Sequence, residues 1–270
     1  MSSPENELPL SVSEEIPADA VPAQPAPFPR PLGARRAFFI LVMYVITQIA
    51  AVLVVMFVMA ITFSSGPGDV NELMSGTVVI PAVIAALVMG GIVIVRLTRR
   101  SFPEAAGRVW LEAIGWTPSS RRDMAVGSAL GFALALIYLF VVGSLFPPSE
   151  NQPPGPLVTA AMGSEWARLG WAAAALFLAP PVEEFLFRGV LLTGFTRSWG
   201  PKVAVVLTIA TFTALHYTET SQYLPGLGGI GLLATFTTIA RLKTGSLKPA
   251  VAIHVAYNLC MVLLVYAWQG

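Results

Sequence analysis

Two adjacent carboxylates and a guanidinium interrupt an apolar run at "PPVEEFLFRGVLL", residues 180–192, where Glu183, Glu184 and Arg188 stand among Phe, Leu and Val. On insertion scales a charged side chain at the centre of a membrane helix costs roughly 2.5 to 3.5 kcal/mol, while each Leu, Phe or Val returns only about 0.3 to 0.6. Three such groups cancel most of what their neighbours contribute, so something must compensate them. On a helix Glu184 and Arg188 are spaced i, i+4 with the acid first, the favourable order for an ion pair on one face. Glu183 is then rotated by about 100° and is free to face a cavity. Two neighbouring acids thus acquire different environments, and Glu183 is the candidate proton acceptor. The plainer alternative is an ion-pair cluster that bolts helices together.

The chain holds two histidines, and both lie in apolar stretches downstream of these charges. In "FTALHY" Phe212 and His216 are four apart, and in "HVAYN" His254 and Asn258 are four apart, so each pair shares one face of its helix. A single histidine on an apolar face is commonly a hydrogen-bonded packing residue. Ionisable residues inside a membrane, however, generally face the bundle interior and one another. Fifteen residues separate Glu184 from Trp199, and fifteen separate Pro201 from His216. A helical hairpin turning at Gly200 therefore brings the glutamates and His216 to the same depth. His254 fits less directly, lying about seven residues from the start of its helix at the opposite side. A shared site requires that helix to begin inside the bilayer, or residues 244–249 to dip inward.

The elements that must carry these groups are apolar and long. Of 270 residues 55% are hydrophobic and only 11% charged, with a mean hydropathy of +0.72, against about 25% charged in soluble domains. Seven segments approach the roughly 17 to 25 residues needed to cross a bilayer: 37–63, 77–95, 124–146, 169–196, 202–217, 224–240 and 247–268. The pair Pro180-Pro181 suits the first turn of a new helix and would make the count eight if it splits the fourth segment. The expected fold is all-α: a polytopic integral membrane protein of seven or eight transmembrane helices with a polar pocket inside the bundle. Cys260 has no partner for an intrachain disulfide, being the single cysteine, and reads as a packing residue. A net charge of +1 argues against a nucleic-acid partner.

Charge distribution supplies the topology. The loop 64–76 has no Lys or Arg, while Arg96, Arg99, Arg100, Arg108, Arg121 and Arg122 crowd the next one. With Arg30, Arg35 and Arg36 ahead of the first helix, the alternation puts the N-terminus in the cytoplasm. Residues 1–33 hold eight prolines and five acids and read as a disordered cytosolic tail. The first apolar run begins only at residue 37 and has no cleavage signature, so it is expected to stay as a helix. The basic loop 96–123, with Trp110 and Trp116, is expected to lie at the membrane surface as an anchor. Residues 34–146 form an N-terminal group of helices, and the motifs fall within 165–265.

Glu-Glu-x-x-x-Arg at 183–188, Phe-x-x-x-His at 212–216 and His-x-x-x-Asn at 254–258, in this order on successive helices, resemble the CPBP family of intramembrane proteases. These are the CAAX protease and bacteriocin-processing, or Abi, proteins, related to Rce1-type CAAX prenyl endopeptidases and to lysostaphin resistance protein A-like proteins. "TGSLKPAVAIH" resembles the family's lead-in to its last motif. The resemblance implies an intramembrane glutamic-type endopeptidase acting on a membrane-associated protein or peptide, prenylated or leader-bearing, in a bacterial cell membrane. It implies that Glu183, helped by His216, activates a water, and that His254 and Asn258 donate hydrogen bonds to the oxyanion. Glu184 and Arg188 would hold the site in shape, and Phe212 would form its wall.

No metal is favoured, but zinc is the alternative: Glu183, His216 and His254 make a two-histidine, one-carboxylate set with room for a water, although HExxH is absent. Two rival readings use the same residues. One is a non-catalytic membrane scaffold or immunity protein, in which the cluster only locks helices. The other is a proton-coupled transporter with Glu and His as a relay.

Overall fold

In the computed structural model, which describes residues 32–63, 75–102, 109–149, 151 and 153–268, every regular element among the described residues is a helix. They are α1 (Ala34–Phe63), α2 (Gly76–Arg99), α3 (Val109–Ala113), α4 (Arg121–Leu145), α5 (Pro156–Met162), α6 (165–199), α7 (Pro201–Leu215), α8 (Tyr217–Thr220), α9 (Gly226–Thr244) and α10 (Lys248–Trp268). The seven apolar segments of the sequence all fall on helices. Four of these, α1, α2, α4 and α10, are long and apolar enough to cross a membrane. They carry apolar side chains outward, among them Ile46, Leu53, Phe57, Phe140 and Leu263, as a chain solvated by acyl tails requires. The protein is an integral membrane protein. The proline-rich tail through residue 31 and the loop 64–74 lie outside the described residues.

Two pairings frame the bundle. α1 lies along α2, and α4 lies along α10. The second pairing follows from the small residues of α4: a Cβ on Gly131 would run into the carbonyl of Ile253 and the side chain of Ala256. Backbones that approach so closely need small residues at the contact. α10, which bears His254 and Asn258, is thereby fixed against α4. The main core gathers side chains from α1, α2, α3, α6, α7 and α9, with Phe187, Phe212, Leu186 and Leu191 at its centre.

The proline pair does not split α6. The helix runs through Pro180 and Pro181 but widens into π-helical turns at Ala174–Leu178 and again at Phe185–Leu191. The first widening has a local cause. The Ala179 amide reaches the carbonyl of Ala174, five residues back, and the next residue, Pro180, has no N–H to offer. The carbonyl of Ala175 is left for another donor, which matters below.

The stretch around Trp110 is not a surface anchor alone. Trp110 and Ile114 are buried, and the Trp110 ring meets Phe185 edge-on at 6.3 Å. This segment covers the α9–α10 turn: Leu247 N–H donates to the Gly115 carbonyl (2.8 Å) and the Ser246 hydroxyl to the Thr117 carbonyl (3.0 Å). Ser246 and Leu247 are consequently buried. The turn that leads into α10 is thus covered by this segment.

Candidate functional site

Depth along each helix decides which polar groups can meet. At 1.5 Å per residue, Glu183 lies about 24 Å up α6 from Trp199, while His254 lies only about 9 Å into α10. The two levels nevertheless meet, since His254 Nδ1 lies 2.9 Å from Glu184 Oε1. α7 returns from Gly200 and ends at Leu215, so His216 caps it at the level of the glutamates.

The cluster divides into a closed half and an open half. In the closed half Arg188, fully buried, donates from Nη1 to Glu184 Oε1 (3.2 Å), from Nη2 to the Ala234 carbonyl (2.9 Å) and from Nε to Thr238 Oγ1 (3.3 Å). Its guanidinium lies 4.5 Å from the centroid of the Phe212 ring. One side chain thus ties α6 to α7 and α9. Glu184, also fully buried, accepts a second bond on Oε1 from His254 Nδ1 at 2.9 Å. Arg188 and His254 are both compensated through this one oxygen.

In the open half, Glu183 Oε2 faces Nε2 of His216 at 3.7 Å and Nε2 of His254 at 3.9 Å. No hydrogen bond closes on that oxygen, although it is buried. Both histidines are oriented by their other ring nitrogen. His216 Nδ1 lies 2.8 Å from the Phe212 carbonyl and His254 Nδ1 2.9 Å from Glu184. Both of these oxygens only accept, so each Nδ1 carries a proton and each Nε2 points at Glu183. Phe212 contributes its ring as well, 4.4 Å from the imidazole of His216 and 6.0 Å from that of His254. Asn258 donates from Nδ2 to the Ala175 carbonyl at 2.8 Å, the acceptor freed by the π-helical turn and by Pro180.

Glu183, His216 and Asn258 line one pocket of about 560 Å³, walled by α1, α2, α6 and α10. The sequence-predicted residues therefore converge: Glu183, His216, His254 and Asn258 at or beside the pocket, and Glu184, Arg188 and Phe212 behind them. Among the lining residues not foreseen are three polar side chains that bear on the site. Tyr44 and Gln48 enter from α1, and Glu219 from α8. Glu219 accepts the Leu157 N–H at 3.1 Å and ties α8 to the head of α5. Burial pushes its carboxyl up to about 7, against the pull of the Leu157 and Val158 amides. A polar residue in an otherwise apolar helix was the available signal for Gln48; Glu219 had none beyond its spacing of three from His216.

The donor types Glu183 Oε2, His216 Nε2 and His254 Nε2, each histidine backed by an acceptor on Nδ1, are those of catalytic zinc sites. Among the described residues, no group of three or more His, Cys, Asp or Glu side chains is arranged to hold a metal ion. What the pocket offers without further ligands is a carboxylate oxygen close enough to His216 Nε2 for one water to touch both, in a space largely walled by apolar side chains.

Comparison with known proteins returned one match: residues 164–260 fit the model of the Rce1-like family, type II CAAX prenyl endopeptidases. No curated protein and no solved structure matches. The matched stretch contains all seven residues of the cluster, and over it the chain is similar to the Rce1-like type II CAAX prenyl endopeptidases.

Proposed function

We propose that this protein is an intramembrane endopeptidase of glutamic type, in which Glu183 and His216 activate a water and His254 and Asn258 stabilise the oxyanion. The observation that carries the reading is the contrast between two adjacent glutamates. Glu184 is held through Oε1 by Arg188 and His254, its Oε2 being buried without a partner, whereas Glu183 Oε2 is buried, unbonded and faced by two imidazole nitrogens. A cluster serving only to bolt helices together accounts for the first carboxylate and leaves the second unexplained.

In the proposed step Glu183 removes a proton from a water that His216 helps to hold. The oxygen attacks the peptide carbonyl carbon, and the carbonyl oxygen takes up negative charge. His254, its Nδ1 held by Glu184, turns Nε2 toward that charge. Asn258 reaches it with the amide hydrogen not given to Ala175. Collapse breaks the C–N bond, and the proton held by Glu183 passes to the leaving amine, which gives a carboxyl and an amino terminus. Fixed donors placed where charge develops commonly lower such a barrier more than any other single effect. Seven crossings with a cytoplasmic N-terminus complete the reading, and the substrate is a membrane-associated protein or peptide.

The test uses the full chain in phosphatidylcholine nanodiscs and a quenched fluorogenic peptide ending in an S-farnesylated Cys-aliphatic-aliphatic-X box. Cleavage by the wild type and a loss of about 100- to 10,000-fold in Glu183→Gln support the proposal; equal cleavage by both defeats it. Zinc enters as the alternative role of the same atoms. Phenanthroline inhibition that is reversed by added zinc would assign Glu183, His216 and His254 as ligands, whereas chelator-insensitive cleavage keeps the metal-free route.

A further inference from the structure

α1 lies outside the family-matched stretch, yet it forms one wall of the pocket. Tyr44 and Gln48, one helical turn apart, line it together with Glu183, His216 and Asn258. Gln48 is the sole amide side chain of α1. Its Nε2 is enclosed and makes no well-formed hydrogen bond, the Tyr44 hydroxyl one turn back being the polar group beside it. Stability gives little reason for placing it there, because an enclosed amide without a well-formed bond costs more than an apolar side chain of the same shape. The surroundings also hold it in place. A Cβ on Gly90 of α2 would press on the Tyr44 ring at 2.8 Å and approach Gln48 Cγ at 3.5 Å. The bare glycine lets α1 seat closely at this level.

We propose that Gln48 is a substrate-contacting residue of this site, its amide donating a hydrogen bond to a backbone carbonyl of the peptide lying in the pocket. The inference rests on the endopeptidase reading. An extended peptide presents carbonyls alternately to two sides. When the scissile carbonyl turns toward His254 and Asn258, a neighbouring carbonyl turns toward the opposite wall. That wall is built of Val45, Ile49, Val52 and Val83, none of which can donate. A backbone carbonyl left unpaired away from water is costly, and of the two donors that α1 brings to the pocket, Tyr44 and Gln48, it is the Gln48 amide whose nitrogen lacks a well-formed bond. Loss of the donor should weaken substrate use while leaving the empty protein no less stable, a combination that a structural glutamine would not give.

Gln48→Leu and Gln48→Met are compared with wild type and with Glu183→Gln, using the same farnesylated peptide and nanodiscs, and each protein is melted without substrate. The expected result is a fall in kcat/KM of about 3- to 10-fold in both Gln48 variants, the worth of one neutral hydrogen bond, with Tm equal to or above wild type. Cleavage within twofold of wild type overturns the Gln48 assignment alone, and so does a lowered Tm that accompanies the lost activity. A wild type inert toward the peptide, or a Glu183→Gln variant as active as wild type, overturns the endopeptidase reading first and the Gln48 assignment with it.

Discussion

The backbone carbonyl of Phe212 lies 2.8 Å from Nδ1 of His216, and that contact decides which ring nitrogen meets Glu183. The i, i+4 spacing of the two residues does more than put them on one face. It uses a carbonyl at the frayed end of α7 to fix a tautomer, while the Phe212 ring packs against the same imidazole at 4.4 Å. His254 is oriented by different means toward the same end, through the carboxylate of Glu184. Two histidines from separate helices thus present equivalent nitrogens to one oxygen.

The asymmetry of the glutamates separates function from stability. Glu183→Gln should leave Tm unchanged or slightly raised, because its Oε2 has no bond to lose, and should abolish cleavage. Glu184→Gln should do the reverse in emphasis: it removes the charge that compensates Arg188 and His254 and costs about 3 kcal/mol or more. Melting and cleavage measured on both proteins check the pair. Similar melting losses in the two would contradict the division into open and closed halves.

Arg188 bridges three helices from a site with no exposure, so Arg188→Met should destabilise by about 3 to 5 kcal/mol, with Glu184 left partly unpaired. Replacing both partners, Glu184→Leu with Arg188→Met, should recover part of that loss, since an apolar pair of similar volume often substitutes for a buried ion pair. Activity should not return, because His254 would have lost the acceptor on Nδ1. Melting curves of the two single variants and the double variant test the non-additivity.

Much of this was legible in the chain. The charges at 183–188 and the two histidines stood out because a membrane helix makes each expensive, and equal spacing about Gly200 set His216 level with the glutamates. His254 was not placed by the same arithmetic. Its helix follows a turn covered by residues 115–117, a long-range contact without local signature. The basic stretch was read as an anchor because its tryptophans match an interfacial pattern, whereas Trp110 closes the core against Phe185. The π-helical turns are equally silent in sequence: Pro180 and Pro181 suggest a break, and only the continuing backbone shows that they instead free the Ala175 carbonyl for Asn258.

The seating of α10 is testable without touching the cluster. Gly131→Val puts side-chain carbons where Ile253 and Ala256 now lie, one turn or less from His254 and Asn258. The helix must move away from α4, and the histidine moves with it. The expected outcome is a fall in cleavage of at least about tenfold, in line with the sensitivity of catalysis to small displacements, along with a lowered Tm. Gly143→Ala, at a position where a Cβ meets nothing within 4 Å, should change neither and serves as the control.

Glu219 supplies a pH dependence with a definite sign. Burial pushes its carboxyl up to about 7 from 4.5, so the folded protein holds the proton more tightly than the unfolded chain. Its contribution to stability is complete below pH 4.5 and is lost as pH rises through about 7, a change of order 2 kcal/mol after allowance for solvent screening. Glutamine at 219 keeps an acceptor for the Leu157 amide and cannot ionise. Glu219→Gln should therefore melt like wild type at pH 4.5 and above it at pH 8. The two melting profiles should diverge chiefly between pH 4.5 and about 7 and keep a constant gap above that. Parallel profiles, or a variant less stable at pH 8, would mean that the Leu157 and Val158 amides outweigh burial and that the carboxylate is the form this fold prefers.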